Sequence, residues 1–376
     1  MSWLYMLFRS YQLKTIIPDL SAFASLIETA PRVSIIVPAC NEEKLIEKAL
    51  RTMLKQNYSN YEVIAINDRS SDSTGEILNR LKKEVSNLQV IHVNSLPPGW
   101  LGKNHANHLG FQISSGDYLL FTDADIFFEE SVLSRTIDFA NKNQAEHIVA
   151  YPRLTYETFW EESFLAIFSL LFTWKFDPIK AKNPKKKKAF IGVGAFNFVS
   201  RKVYQSIGGH YPLRMEVADD VRLGEYVKLK GFGNYLIRAS DFLSVRWREG
   251  LLDTMRGIER SAFPGINFSW VWVFIGIAGT LFGLISPYWL LIAAIFFGEN
   301  SLGLMVLNLV SIITIALIYY SSGKSVGKSL MLTLSHPIVS ILFLYAFLKS
   351  AIGITLQGGV RWRDTFYPIS VLKHKD

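Results

Sequence analysis

Two aspartates that directly follow an apolar segment, in GDYLLFTDADIFFEE, are the residues of this chain best suited to chemistry. Residues 118–122 have the apolar pattern of a buried strand, which predicts that Asp123 and Asp125 stand one residue apart at its end. Both carboxylates are expected to point the same way, because strand side chains alternate between faces. Oxygen ligands at the carboxyl edge of a parallel sheet suit a hard divalent cation and its phosphate ligands. An acidic turn without a chemical role is the alternative.

The segments around these aspartates predict a sheet of alternating strands and helices. Strand patterns are expected at residues 33–38, 62–67, 90–93 and 118–122, and helical spacing at residues 41–56 and 104–113. Ser73 and Glu76 have the spacing of a capping box that would start a further helix. This alternation indicates a parallel, nucleotide-binding type of sheet. The sequence PACNEE after the first strand lacks the glycine-rich dinucleotide fingerprint, which argues against a nicotinamide or flavin enzyme.

The composition points to a membrane surface. The chain has 376 residues, which is enough for one large α/β domain and a further part, and its long apolar runs gather between residues 263 and 354. The net charge is +8, but the basic residues do not form the aromatic-interleaved patch of a nucleic-acid binder, so no nucleic-acid partner is predicted. Basic clusters beside apolar segments favour an anionic membrane, with a solvated loop as the alternative for the lysine run. These clusters are Lys182, Lys185, Lys186, Lys187 and Lys188, and Arg361, Arg363, Lys373 and Lys375.

The apolar segments predict four regions. Residues 1–30 are expected to form an interfacial segment, 31–262 a catalytic domain, 263–355 the membrane helices and 356–376 a basic cytosolic tail. Residues 288–297 are too short to cross a bilayer alone and either stand apart or continue a helix across Pro287, which predicts three or four membrane segments. The aromatic stretch 159–176 is either an interfacial amphipathic helix or a core helix.

Five motifs in order resemble those of family 2 glycosyltransferases. They are PRVSIIVPACNEE, EVIAINDRSSDST, GKNHANHLG, DYLLFTDAD and VADDVRLG, and the resemblance covers about residues 31 to 235. PPGWLGK, GGHYPLRMEVADDVRLG and the apolar C-terminal part are similar, more particularly, to ceramide-glucosyltransferase-like, hopanoid-type and carotenoid-type members. The resemblance implies an α/β GT-A fold, which is Rossmann-like, a nucleotide-sugar donor and inversion at the anomeric carbon.

The resemblance also implies roles for individual residues. Asp125 would coordinate Mg²⁺ or Mn²⁺, with Asp123 near the ribose or also near the metal, and the metal would neutralise the departing diphosphate. Asp68 matches the family aspartate that contacts a uracil-type base, and Lys103 would approach the diphosphate or the base. The same pocket would be lined by Pro38, Ala39, Asn41 and Glu42. Glu42 and Glu43 are alternatively ordinary first-turn acids favoured by a helix dipole.

An inverting transfer needs a base for the acceptor hydroxyl, and the resemblance assigns that role to Asp220, with Asp219 in support. Two adjacent carboxylates raise one another's pKa, which would suit a base near neutral pH. Processive family members carry Gln-x-x-Arg-Trp after this point, whereas the counterpart here retains only Arg260, expected to steady the departing diphosphate. This departure argues against polymer synthesis.

The sequence therefore predicts a metal-dependent, inverting glycosyltransferase that moves one sugar from a nucleotide sugar, expected to be a UDP-sugar, to a lipid acceptor. It would be a multi-pass protein of the cell membrane with its catalytic domain in the cytoplasm. A processive polysaccharide synthase or a polyprenyl-phosphate sugar transferase of the same fold is the alternative enzyme. A catalytically inactive membrane scaffold is the alternative of another class.

Overall fold

A computed structural model describes residues 2–24, 31–297, 302–362 and 365–373. The chain forms two compact units. The α/β unit comprises Ile17–Thr155 and Phe176–Arg246, and the helical unit comprises Met1–Ile16, Tyr156–Lys175 and Trp247–Asp376. Residues 156–175 and 247–262, expected within the catalytic domain, thus belong to the helical unit, as do helices α1 (Ser2–Ile16) and α6 (Phe159–Lys175). Part of the predicted interfacial segment, residues 25–30, lies outside the described residues.

The α/β unit alternates strands and helices over most of its length. Its elements are β1 (Val33–Ala39), α2 (Ile46–Met53), β2 (Tyr61–Asp68), α3 (Thr74–Glu84), β3 (Leu88–Val93), α4 (Gly102–Ile113), β4 (Tyr118–Phe121), β5 (Phe127–Phe128), α5 (Val132–Asn143), β6 (His147–Tyr151), β7 (Arg153–Leu154), α7 (Pro178–Lys182), β8 (Asn197–Ser200), α8 (Arg201–Ser206), α9 (Asp219–Leu229), β9 (Tyr235–Arg238) and β10 (Leu243–Val245).

The central sheet has the strand order β3-β2-β1-β4-β8-β6-β9. The first four strands in this order are parallel, as the alternating pattern predicted, whereas β8 is antiparallel to both β4 and β6. Ile35, Ile36 and Val37 of β1 are fully buried, because helices cover both faces of a parallel sheet. Strands β5, β10 and β7 form a separate small sheet. The mixed α/β fold with a largely parallel sheet is therefore confirmed.

Two local predictions at the carboxyl edge of the sheet, the start of α2 and the capping box of α3, are wrong, and a third, the common direction of Asp123 and Asp125, stays a prediction. Helix α2 begins at Ile46 and not at residue 41, because Asn41 has a left-handed backbone conformation, with φ of 56°. The side chain of Ser73 does not cap α3; Asp72 accepts the backbone N–H of Thr74 there instead. Strand β4 ends at Phe121, so strand alternation does not set the directions of the aspartates that follow.

The helical unit contains three helices that are long and apolar enough to cross a membrane, within the residues described: Trp270–Phe296, Leu302–Ser321 and Val326–Gln357. Pro287 does not interrupt the first of them. A π-helical segment directly before the proline joins the two flanking helices, and such widened turns accommodate a residue that has no N–H to donate. The elements are α10 (Gly250–Ser261), α11 (Trp270–Ala278), the π-helical segment (Gly279–Ile285), α12 (Ser286–Phe297), α13 (Leu302–Ser321), α14 (Val326–Gln357), β11 (Gly359–Trp362), β12 (Thr365–Pro368) and α15 (Ile369–Leu372).

Helix α6, the aromatic stretch left open between an interfacial and a core helix, has features of both. One face packs on α14, where the rings of Phe164 and Phe343 lie 5.6 Å apart. The side chains of Trp160 and Trp174 remain exposed. The structure does not describe Arg363 and Lys375 of the predicted basic tail.

Candidate active site

Three elements of the α/β unit bring Lys103, Asp123 and Asp219 together. Lys103 is the second residue of α4, Asp123 follows β4 by two residues, and Asp219 opens α9. The Lys103 Nζ lies 2.7 Å from Asp123 Oδ1 and 3.7 Å from Asp219 Oδ1. Two residues nearly 100 positions apart in the sequence thus share one ammonium group, at the carboxyl edge where the sequence predicted the site.

Asp220 also belongs to this group of residues, and its distance from the others can be judged from the position of Gly194. A Cβ atom added at Gly194 would lie 3.1 Å from Asp123 Oδ2, 3.2 Å from Asp220 Oδ2 and 3.6 Å from Lys103 Nζ. The two carboxylates that sequence reasoning assigned to the donor and to the base therefore face one small space. Because Gly194 has no side chain, that space stays open. We call Lys103, Asp123, Asp219 and Asp220 the acidic cluster.

The acidic cluster sets one ammonium against three carboxylates. Burial raises the pKa of Asp219 to about 7, and the neighbouring carboxylates act in the same direction while Lys103 opposes them. Burial alone would lower the pKa of Lys103, but the three aspartates outweigh that effect and raise it. Lys103 is therefore a permanent cation, and the cluster keeps an excess of negative charge that an additional cation would relieve.

Asp123 and Asp125 fit a divalent metal that is held in part by substrate. The side chain of Asp123 is 39 % exposed, and Asp125 follows in the adjoining turn. Within the described ranges, no group of three or more His, Cys, Asp or Glu side chains forms a complete protein cage for an ion. Mg²⁺ in enzymes is commonly bound by one or two carboxylates together with phosphate oxygens and water, and this donor set matches that pattern.

Asp68, the residue expected at the nucleobase, is held by its neighbour Arg69. The Nε of Arg69 donates to Oδ1 at 2.8 Å and its Nη2 donates to Oδ2 at 3.1 Å. Gly102 packs against this pair, since a Cβ there would collide with both side chains. Beside them lies an open groove of about 450 Å³ lined by Asn67, Arg69, Ser70, Asn79, His92, Val93 and Asn94.

Comparisons with known proteins explain this arrangement. The family model described as Glycosyl transferase family 2 matches residues 34–208, which include Asp68, Lys103, Asp123 and Asp125. The chain carries a family 2 glycosyltransferase domain. Its match ends before Asp219 and Asp220, so their roles rest on the motif and on their position in the acidic cluster.

Proteins similar to this chain, over most of its length or over part of it, are glycosyltransferases. The 4,4'-diaponeurosporenoate glycosyltransferase of Staphylococcus aureus is 25 % identical over 342 residues, which are 90 % of this chain and 88 % of that protein. The poly(ribitol-phosphate) beta-glucosyltransferase of Bacillus spizizenii is 36 % identical over 119 residues, which are 31 % of this chain but only 18 % of that protein. A mannosyltransferase from Pyrobaculum calidifontis, solved with GDP-Man and Mn²⁺, shares the fold with a TM-score of 0.55 and 17 % identity, covering 94 % of each chain.

The loop after β1 is tied to the loop after β2 in the glycosyltransferase domain. Asn41 Oδ1 accepts the Ser71 N–H at 2.8 Å, and the Glu42 N–H donates to Thr74 Oγ1 at 2.8 Å. Pro38 and Ala39 form the end of β1. Because α2 starts only at Ile46, Glu42 does not lie in its first turn. These bonds hold the two loops that would frame a nucleotide.

Sequence reasoning missed several residues of the domain. Arg69, with φ of 55°, and Gly194 shape the two ends of the site, but sequence reasoning gave neither of them a role. The repeated glycines of GVGAFN were the available signal for Gly194. Arg260 lies in the last turn of α10 in the helical unit, and its role at the diphosphate stays a prediction.

Proposed function

We propose that this chain transfers a single sugar, with inversion, from a UDP-sugar to a lipid acceptor at the membrane surface. The observation that carries the proposal is the convergence of Asp123 and Asp220 on the space at Gly194, with Lys103 beside them. Donor and acceptor chemistry would then meet within one glycosyltransferase domain. The presence of the glycosyltransferase domain supports sugar transfer. The identity of the donor, the inversion at the anomeric carbon and the lipid acceptor are what we propose.

Asp220 acts as the general base in this mechanism. It takes the proton of the acceptor hydroxyl while the acceptor oxygen forms a bond to the anomeric carbon. The bond between that carbon and the phosphate oxygen breaks on the opposite side, so the configuration inverts and the nucleoside diphosphate leaves with the bonding electrons. Asp219, the buried residue next to Asp220, has a pKa that burial raises to about 7, so this carboxyl holds a proton more readily than an exposed one.

The donor is held by groups that offset its phosphates. Lys103 presents a permanent positive charge beside Asp123, and the groove at Asp68 and Arg69 offers polar partners for the nucleoside. Asp123 and Asp125 would hold Mg²⁺ or Mn²⁺, which supplies neutralisation of the diphosphate when bound. Lys103 and the bound ion would together place positive charge where the leaving group gains negative charge.

The acceptor is proposed to be a lipid because three helices suit a bilayer and because the full-length relative is named for a carotenoid-type acceptor. A lipid of this kind stays in the membrane, so the enzyme must bring a water-soluble donor to it. We place the protein in the cell membrane with the glycosyltransferase domain on the cytoplasmic side, where nucleotide sugars are made. A poly(ribitol-phosphate) acceptor is the second candidate, supported by the 36 % identical relative.

The test is transfer by the purified full-length chain in lipid nanodiscs. A panel of nucleotide sugars would be offered with extracted membrane lipids or with poly(ribitol phosphate), and released nucleoside diphosphate and glycosylated product would be measured. Asp220→Asn is the inactive control, and EDTA followed by added Mn²⁺ or Mg²⁺ tests the metal. Nuclear magnetic resonance of the product gives its anomeric configuration.

Turnover that needs a UDP-sugar and a lipid and yields one inverted sugar per acceptor supports the proposal. A ladder of products would support the polymer-forming alternative instead. Nucleotide-sugar binding without turnover on any acceptor would support the inactive scaffold. Undiminished turnover in EDTA would remove the metal from the proposal.

A further inference from the structure

A chain of buried hydrogen bonds connects the sheet to the helix that carries the base. We propose that Asn197 is a positioning residue that fixes the first turn of α9, and hence Asp220, through a network with His147 and Asn234. The inference rests on the proposed function, in which Asp220 removes the acceptor proton. None of these three residues is a charged member of the acidic cluster, and none belongs to the five sequence motifs that revealed the site.

The network consists of three side chains from three strand regions. Asn197 Nδ2 donates to the backbone carbonyl of Asp220 at 3.1 Å, and Asn197 Oδ1 lies 2.6 Å from His147 Nε2. The other ring nitrogen of His147 lies 2.8 Å from Asn234 Nδ2. Asn197 is at the start of β8, His147 starts β6, and Asn234 directly precedes β9. All three are at most 1 % exposed.

The hydrogen-bond directions in this network are fixed by the backbone groups at its two ends. Asn234 Oδ1 accepts the N–H of Ile191 at 3.2 Å, so its Nδ2 group donates, to the carbonyl of Gly224 at 3.1 Å and to His147 Nδ1. His147 must therefore carry its proton on Nε2 and donate it to Asn197 Oδ1. Asn197 is left with its Nδ2 donor aimed at Asp220. Each side-chain nitrogen and oxygen atom of this three-residue network therefore acts only as a donor or only as an acceptor.

The imidazole of His147 is suited to this task because it stays neutral. Complete burial lowers the pKa of His147 to about 4, although the bond to Asn197 opposes that shift. A neutral ring with one donor and one acceptor keeps the same hydrogen-bond direction throughout the physiological range. The network therefore positions α9 without a charge that would disturb the nearby carboxylates.

The two anchored carbonyls belong to one helix and sit four residues apart. Asn197 donates to the carbonyl of Asp220, and Asn234 donates to that of Gly224, so hydrogen bonds fix α9 at both ends of one full turn. The same face is pressed against the preceding loop, because a Cβ at Gly192 would lie only 1.8 Å from the carbonyl oxygen of Asp220. The side chain of Asp220 thus points toward Gly194 from a helix whose position is fixed by these contacts.

Loss of the Asn197 donor should release the first turn and displace the base. A displacement of about 1 Å at a reacting group costs on the order of 100-fold in rate, while nucleotide contacts elsewhere in the domain are unaffected. The expected result is a selective loss in kcat, with the donor KM changed little. A residue that merely stabilised the fold would instead lower the fraction of active protein.

The experiment compares variants of the full-length chain in nanodiscs, with turnover expressed per nucleotide-binding site. Asn197→Asp has the same shape and still accepts from His147, but it cannot donate to Asp220 when ionised. Asn197→Ser removes the donor without adding charge. His147→Gln is the conservative variant, since an amide can still donate toward Asn197. Ser134→Ala is the matched control, because it removes the bond from the buried Ser134 hydroxyl, on helix α5 of the same unit, to Asn57.

We expect kcat per site to fall about 10- to 100-fold in both Asn197 variants, with donor KM within about threefold of wild type. His147→Gln should lose less, and Ser134→Ala should lower the thermal midpoint but not kcat. Wild-type kcat per site in both Asn197 variants would overturn the inference. If neither Asn197 variant binds nucleotide, the same measurements of kcat and donor KM on His147→Gln test the inference. An inactive wild type would instead refute the proposed function.

Discussion

Each compact unit holds a cluster of buried or half-buried carboxylates and lysines, and the two clusters balance charge in opposite ways. In the α/β unit, the ammonium of Lys103 faces Asp123 at 2.7 Å and Asp219 at 3.7 Å, with Asp220 also contributing to its pKa. In the helical unit, one carboxylate, that of Glu162, faces two lysines. The first cluster therefore lacks positive charge and the second does not.

The cluster in the helical unit is complete without a ligand. Glu162 is 3 % exposed, and its oxygens lie 2.7 Å from Lys324 Nζ and 2.8 Å from Lys328 Nζ. The ring of Tyr156 lies beneath both ammonium groups, 5.1 and 5.2 Å from its centroid. Burial opposes ionisation of Glu162, but hydrogen bonds from the two lysines and Tyr156 outweigh it and lower the pKa.

The difference teaches how to separate a structural charge cluster from a reactive one. A carboxylate with two partners and a lowered pKa stabilises a fold and resists protonation. A group of carboxylates with too few cations stores unfavourable energy, which is worthwhile only where a ligand such as a cation or a reacting proton relieves it. The comparison predicts that substitutions in the acidic cluster change rates and that those around Glu162 change stability.

The largest effect is expected for Asp220→Asn. The amide keeps the shape of the base but cannot take the acceptor proton, so kcat should fall about 10³- to 10⁴-fold. Nucleotide-sugar binding, measured by calorimetry, should change little, because Asp220 acts on the acceptor side. A variant that keeps more than a tenth of wild-type kcat would remove Asp220 from the role of base.

Lys103→Met should have the next largest effect. It removes the ammonium that offsets the acidic cluster, so kcat/KM for the donor should fall about 100-fold, or about 2.7 kcal/mol. Because Lys103 opposes the raised pKa of Asp219, its loss should raise the pKa of that carboxyl further. Lys324→Met in the helical unit is the matched control. Glu162 retains Lys328 there, so the rate should stay within about twofold of wild type. Equal losses in both variants would contradict the comparison.

Glu162→Gln should alter stability and leave turnover intact. It leaves two lysines facing each other without a counter-charge, although both are partly exposed, and the expected loss is about 2 kcal/mol. Thermal unfolding in detergent should show a midpoint lower by several degrees. Turnover per nucleotide-binding site should equal that of wild type. A fall in that turnover without a lower midpoint would give Glu162 a functional role.

The half of the fold with regular alternation was predictable, and the other half was not. Strands β1, β2 and β4 have long apolar runs, so their parallel arrangement follows from period and spacing. Strand β8 has four residues, and its antiparallel pairing depends on contacts with β4 nearly 80 residues away. Pairing at that distance leaves no local pattern. The predicted capping box of α3 was wrong for a different, local reason: the turn before the helix lets Asp72 accept the Thr74 N–H, only two residues away, and the Ser73 side chain does not cap the helix.

The site divides in the same way. Asp123, Asp220 and Lys103 were recognised because charged residues recur in motifs of known order. Asn197 and His147 were not, because buried polar residues with a 50-residue separation carry no pattern in one sequence. Motifs therefore predicted the groups that would touch substrate, and only the three-dimensional arrangement revealed the groups that orient them.

The smallest predicted effect is an opposite pH dependence of stability in the two clusters. Because burial raises the pKa of Asp219 from 3.8 to about 7, the folded state retains a proton that the unfolded state has lost between these values. Its contribution to stability is present below pH 3.8 and is lost as the pH rises through 7. Glu162 has a lowered pKa, so its contribution is present above pH 4.5 and is lost as the pH falls through its folded-state pKa.

Asp219→Asn removes the first dependence and Glu162→Gln removes the second. In metal-free buffer, raising the pH from 5 to 8 should lower the free energy of unfolding of wild type more than that of Asp219→Asn, by on the order of 1 kcal/mol. Thermal unfolding at both pH values would measure this difference. Lowering the pH from 5 toward 3 should reduce the difference in the free energy of unfolding between wild type and Glu162→Gln. If added Mn²⁺ abolishes the first difference, the metal relieves the charge imbalance of the acidic cluster. Parallel pH profiles for wild type and both variants would show that the two clusters carry the same kind of charge balance after all.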